Sequence, residues 1–381
     1  MTSSLGREMD SKTSMRALVL GHSAFVAGLS LVAFGGCSSG STAEPLPPPI
    51  TCPALESLGT PTSVMNLGEA APACPDPFEA EAVLAAAMET PIGWAAVEAD
   101  GLATTTGGVG GEVVLARTIE ELEAFANAPE PMIIAVCGLL GTGMEEVEVA
   151  ANKTVIGVGA RPTLRGGFDV DDASNIVIRN LYIEGLNPIV ATAPPDGIAV
   201  RRAHHVWLDH LDISDARDGN LDVSDESNYV TISYSRFWYR DPARSHRFSN
   251  LIGSGDDNIQ DRGHLKVTLH HNWWADNVAE RMPRTRYGDI HVFNNYYTSR
   301  RGNYCIRSGR EARVLVEGNY FWGVSDPFDV EGGLLLARDN VFENAPGTRT
   351  GTPDAFEPPY PYQLDAPCDV PAIVAENAGP R

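Results

Sequence analysis

Short apolar runs recur along the middle of the chain, each alternating β-branched and polar residues. They are NIVIRNL from Asn175, HVWLDHL from His205, YVTISYS from Tyr229, KVTLHHN from Lys266, DIHVFNN from Asp289 and RVLVEGN from Arg313. One equivalent apolar position in each gives Ile176, Val206, Val230, Val267, Ile290 and Val314, separated by 30, 24, 37, 23 and 24 residues. An earlier run, KTVIGVG, aligns at Val155, 21 residues upstream. Two-residue alternation marks strands. One such run every two dozen residues, with insertions of variable length, marks a solenoid. The expected fold is therefore all-β, a parallel β-helix.

A second regularity runs in the same phase. Asn272, Asn295 and Asn319 each lie five residues after the aligned position. Asparagine tolerates the left-handed turn conformation, and stacked rungs would set these amides in line to bond one another. The alternative is three unrelated turn residues. A solenoid needs its ends covered, and residues 93–130, with the helical pattern TIEELEAFANA after Arg117, are the expected N-terminal cap. A shorter helix is expected within 77–90. The Pro-rich, acidic tail from about residue 346 is expected to pack along the outside as loop.

The N-terminal pattern is different. Residues 17–36 are mostly apolar and follow Met15-Arg16, as in a secretory signal. Gly35-Gly36-Cys37 resembles a lipoprotein cleavage box, so Cys37 is either lipidated or the signal is an ordinary cleaved one. Residues 38–92 begin Ser- and Pro-rich and read as a tether and acidic leader. The expected organisation is thus 1–37 signal, 38–92 tether, 93–345 β-helix and 346–381 extension, in a protein that is secreted or held at the cell surface. Six cysteines, at 37, 52, 74, 137, 305 and 368, would meet an oxidising compartment. Cys52 and Cys74 are the expected disulfide, with Cys137 and Cys305 as buried thiols.

The chain's 381 residues carry a formal net charge of −22, which argues against a nucleic-acid partner. The charge is unevenly spread. Residues 17–116 hold ten acids and no Lys or Arg, whereas residues 281–313 hold eight Arg against two acids. The arginine segment contains Arg281, Arg284 and Arg286 in ERMPRTRYG, between two aligned strands. A row of guanidinium groups on one strand face would hold carboxylates. The alternative is a solvated face in a chain that uses only three lysines. Asp196, in PPDGIAV, and Asp218 and Asp222, in DGNLDV, could supply hard oxygen ligands for Ca²⁺ from neighbouring rungs. They could equally be turn aspartates.

Taken together, TTGGVGG (105–111), NKTVIGVGA (152–160), ASNIVIRNLYIE (173–184), HHVWLDH (204–210), DGNLDV (218–223), HLKVTLHHNWW (264–274), ERMPRTRYGDIHVFNNYYT (280–298) and RVLVEGNYF (313–321) resemble the pectate lyase/pectin lyase family. The match is collinear over about residues 93–345. The resemblance implies a right-handed parallel β-helix that cleaves polygalacturonate by Ca²⁺-assisted β-elimination. It makes Arg281 the base, Arg286 and its neighbour Arg284 contacts to substrate carboxylate, and Asp196, Asp218 and Asp222 calcium ligands. It implies an acidic polysaccharide as partner and no protein partner, with a monomer as the default. Two positions depart from the family pattern: Pro194 where an aspartate is usual, and Phe248 where a substrate-binding lysine is usual. Phe248, Trp273, Trp274 and Tyr239 could favour methylated pectin or another uronate polymer, or they could simply fill the core. A non-catalytic glycan-binding β-helix is the alternative from another class. It would have no reason to keep Arg281 and the three aspartates together.

Overall fold

The computed structural model describes residues 50–52, 74, 78–186, 190–300 and 302–381. The signal segment, Cys37 and most of the expected tether lie outside the described residues. Among the described residues, twenty-one strands pair in parallel and wind into a right-handed β-helix with three sheet faces. The first face begins with Glu112–Ala116 and Met132–Glu148 and runs through ten rungs to Leu334–Arg338.

The expected register is the observed one from Ile176 onward. Ile176 pairs with Val206, and the column continues through Val230, Val267, Ile290 and Val314 to Leu335, every one fully buried. Upstream the alignment is two residues out, because Lys153, not Val155, pairs with Ile176. The Lys153 stem occupies the core position, and its ammonium escapes by donating to the carbonyls of Glu130 (2.8 Å) and Ala151 (2.9 Å). A charged residue in a core column hides that column's phase from a hydrophobicity pattern.

The asparagines form the expected ladder and extend it by one. Asn272, Asn295 and Asn319 each donate from backbone and side-chain amide to the next Oδ1, at 2.8–3.1 Å, and the last acceptor is Asn340. Inside the third face an aromatic stack runs parallel to this ladder. Phe237, Trp274, Tyr297, Phe321 and Phe342 follow one another with ring centroids 4.3–5.8 Å apart.

Among the described residues, three α-helices flank the coil. α1 (Ala80–Ala87) packs Val83 and Ala87 on Ile133, Ala135 and Ile156. α2 (Ile119–Ala126) buries Leu122 and Ala126 in the end of the core and thus closes it. Its N-terminus is held by Thr118 Oγ1, which accepts from the Glu121 amide at 3.2 Å. α3 (Val370–Asn377) was not foreseen within the tail. It buries Val370 and Val374 against Trp273, Tyr296 and Tyr320 on the outside of the third face. Among the described residues no helix is long and apolar enough to cross a membrane.

The expected Cys52–Cys74 disulfide is corrected. Cys52 bonds Cys368 and Cys74 bonds Cys137, so Cys137 is not a thiol, while Cys305 is free and buried. Both bridges tie segments far apart in sequence, and only the winding of the coil brings them together.

Candidate functional site

The second face carries the chemistry. Its outward rows follow from two-residue alternation along Ile198–Arg201, Leu221–Ser224, Leu251–Ile252, Arg284–Thr285 and Ile306–Ser308. Pairing sets Ala199 beside Asp222, Leu251 beside Arg284, and Arg284 beside Arg307, in one row ending at Asp329. Leu221, Ile252 and Ile306 point the other way, into the core.

Asp222 is anchored by the Leu251 amide, which donates to its Oδ1 at 2.9 Å. Gly219 lies so close that a Cβ there would stand 2.4 Å from the same oxygen, so only glycine fits. Asp196 is anchored in the same way, accepting from the Gly219 amide at 2.8 Å. Asp218 accepts a hydrogen bond from His246 Nε2 at 2.7 Å if that nitrogen carries the proton. Burial, then the charge of Asp196, pushes the Asp222 carboxyl well above its ordinary range. Burial, with the charge of Asp218 adding to it, raises Asp196 to about 6. The three aspartates are therefore together, and their negative charge is poorly compensated.

Arg281 completes this group. Its Nη1 lies 3.9 Å from both Asp218 Oδ1 and Asp222 Oδ2, and its side chain is 15% exposed. The residue takes a left-handed backbone conformation, φ +64°, uncommon for a long side chain. Its guanidinium carbon sits 4.5 Å from the centre of the Phe248 ring.

The other two arginines differ. Arg284 is half-buried on the same row, and no described residue hydrogen-bonds or ion-pairs with its side chain. Arg286 is 10% exposed and committed. Its Nε donates to Asp256 at 2.5 Å and its Nη1 to the Gly253 carbonyl at 2.8 Å. That contact holds Asp256 below its usual carboxylate range. Asp256 lies on a loop between rungs, and nothing in the strand pattern marks it as a partner. Sequence reasoning also missed His246. Its signal was its spacing of two from Phe248, which places both on one side of an extended segment. Arg247, between them, points away and donates from Nε to Asn277 O at 2.6 Å.

Among the four aromatics, Trp274 and Tyr239 are fully buried, and Trp273 packs against Tyr296 on the third face. Phe248 alone stands at this site, half-buried.

For a hard cation, the donor chemistry fits. Asp196 and Asp222 each present one carboxylate oxygen beyond the one taken by a backbone amide, and burial, with the charge of the neighbouring aspartates adding to it, raises the pKa of both. Among the described residues no three His, Cys, Asp or Glu side chains close into a cage by themselves.

Comparison with known proteins identifies the family. A family model described as pectate lyase matches residues 78–331. A pectate trisaccharide-lyase of Thermotoga sp. (strain RQ2) is 36% identical over 339 residues, covering 78% of this chain and 91% of the relative. A probable pectate lyase A of Aspergillus fumigatus is 33% identical over 267 residues, covering 67% of this chain and 78% of the relative. The crystal structure of a pectate lyase from Bacillus sp. N165 in complex with trigalacturonate superimposes with a TM-score of 0.64 at 29% identity. It covers 76% of this chain and 98% of that one.

Proposed function

The chain belongs to the pectate lyase family, and from that premise we propose that it cleaves polygalacturonate by β-elimination on its second face, with Arg281 as the base. The observation that carries this assignment is the approach of the Arg281 guanidinium to Asp218 and Asp222 on one outward surface. Elimination requires three coupled changes. The C5–H bond of a uronate breaks, its electron pair forms the C4–C5 double bond, and the C4–O bond breaks with its pair going to the leaving oxygen, which takes a proton from water. Arg281 takes the C5 proton. To take that proton Arg281 must hold the neutral guanidine form, which is scarce in water.

Arg284 suits a substrate carboxylate, since it is on the same row and free of protein partners. Arg286 would first have to release Asp256, so its part is to hold that loop or to exchange one carboxylate for another. Asp196, Asp218 and Asp222 would hold Ca²⁺, which when bound supplies charge that acidifies the C5 proton and steadies the developing enolate-like anion. Export belongs to the same proposal, because the two disulfides suit an oxidising compartment.

The test is ultraviolet absorbance of the unsaturated product from polygalacturonate, with and without a calcium chelator. The wild-type protein is expected to give signal that chelator removes. Arg281→Ala is expected to lose about 10³-fold or more in turnover with its fold intact. Turnover unchanged by chelator removes the calcium role, and normal turnover by Arg281→Ala removes the base.

A further inference from the structure

Around Arg281 four side chains close into a circuit. His246 Nε2 meets Asp218 Oδ1 at 2.7 Å. The His246 and Phe248 ring centroids lie 4.1 Å apart. The Arg281 guanidinium carbon lies 4.5 Å from the centre of the Phe248 ring, and Arg281 Nη1 returns to Asp218 at 3.9 Å. The Phe248 backbone is fixed as well. It bridges between Gly219 and Glu280 in adjacent rungs, and its carbonyl accepts from the buried Tyr239 hydroxyl at 2.6 Å. The backbone that carries the ring is therefore held, and the ring stands between His246 and Arg281. Arg281 needs such a neighbour, because its Nε is buried without a hydrogen-bond partner and its two carboxylate contacts are long. Nothing else described at the site fixes the rotation of its guanidinium plane.

We propose that Phe248 is a positioning residue for Arg281, an aromatic shelf that fixes the guanidinium over the aspartates and keeps water from one of its faces. This rests on Arg281 acting as the base. The physical term is the packing of the planar guanidinium on the aromatic face, which sets the orientation of that plane. The consequence is kinetic. A base displaced by about 1 Å loses on the order of 10²-fold in rate with little change in ground-state binding. A merely structural phenylalanine would instead change stability and leave turnover per folded molecule untouched.

The experiment compares Phe248→Leu, Phe248→Met and Phe248→Tyr with wild type on polygalacturonate at saturating calcium, with thermal unfolding measured in parallel. Leucine and methionine fill much of the space without a π face, whereas tyrosine keeps it. The expected result is a kcat lower by about 10- to 100-fold for Leu and Met, a KM within about 3-fold of wild type, and a Tyr variant with most of its kcat restored. Wild-type kcat in either folded aliphatic variant overturns the proposal, and so does a Tyr variant as impaired as Leu. Arg281→Ala in the same assay separates the causes. If it is inactive while Phe248→Leu turns over normally, positioning fails and the base assignment stands. If it is active, both fail.

Discussion

At the scale of single residues, the site is built from groups held in states they would not adopt alone. Asp222 is the clearest case, since burial and the charge of Asp196 lift its pKa well above the ordinary carboxylate range. A carboxyl whose folded pKa is raised contributes stability below its unfolded pKa of about 3.9, and that contribution is lost as pH rises through the folded value. Asp196, raised to about 6, acts in the same direction. Without calcium, the pair should therefore cost stability as pH rises from about 4 through 6 and above. Asp222→Asn removes the larger shift and can keep the bond from the Leu251 amide. In chelator at pH 7.5 this variant is expected to melt about 2–5 °C above wild type, whereas calcium should raise the melting temperature of wild type alone. Calorimetry at pH 5 and 7.5 checks both, and a variant melting below wild type at pH 7.5 would sink the account. The identities of Arg281 and the aspartates could be read from the sequence because ERMPRTRYG and DGNLDV are short, contiguous strings. Their surroundings could not be read there. Asp256 and His246 reach the site across loops about 30 residues from their partners Arg286 and Asp218, and no periodicity encodes such a contact.

At the scale of elements, the ladder and the core column explain why the fold was legible. Ile176 to Val314 repeat because each rung places its side chain in the same environment, so selection for one buried apolar group recurs once per turn. The phase was lost only at Lys153, where a buried stem and two carbonyl acceptors replace an apolar residue. The same logic extends to Asn340, five residues beyond Leu335, which continues the ladder in phase. Each ladder amide is buried and multiply bonded, so its removal strands its neighbours' polar groups. Asn295 accepts from Asn272 and donates to Leu269 O, Phe293 O and Asn319 Oδ1. Asn295→Ala is expected to destabilise by about 3 kcal/mol, lowering the melting temperature by about 6 °C or more. A change under about 1 °C would mean that the ladder is decorative.

At the scale of the whole molecule, the extension acts as a strap: it meets the second face at its last strand, where the Phe328 amide donates to Thr348 O at 3.1 Å, and makes further attachments on the other faces. The Tyr360 hydroxyl meets Thr268 Oγ1 at 2.7 Å and His291 Nδ1 at 2.9 Å, Asp365 meets His271 Nε2 at 2.8 Å, and α3 covers the third face. Cys368, just before α3, is bonded to Cys52, 316 residues away. A cross-link closing so long a loop restricts the unfolded chain strongly, by about 5 kcal/mol in the chain-entropy account. It also holds the strap against fraying just before α3, adding a covalent tie to the polar bonds and to the apolar packing of Val370 and Val374. Replacing both Cys52 and Cys368 with Ser should therefore do two separable things. The melting temperature should fall, and limited proteolysis should nick the chain first within residues 346–381. Turnover at moderate temperature should stay within about 2-fold of wild type, since Arg281 and the three aspartates take no contact from the strap. A large loss of turnover in folded double variant would show that the strap reaches the site. An unchanged melting temperature with no new cleavage would show that the polar attachments and α3 hold it without the bridge.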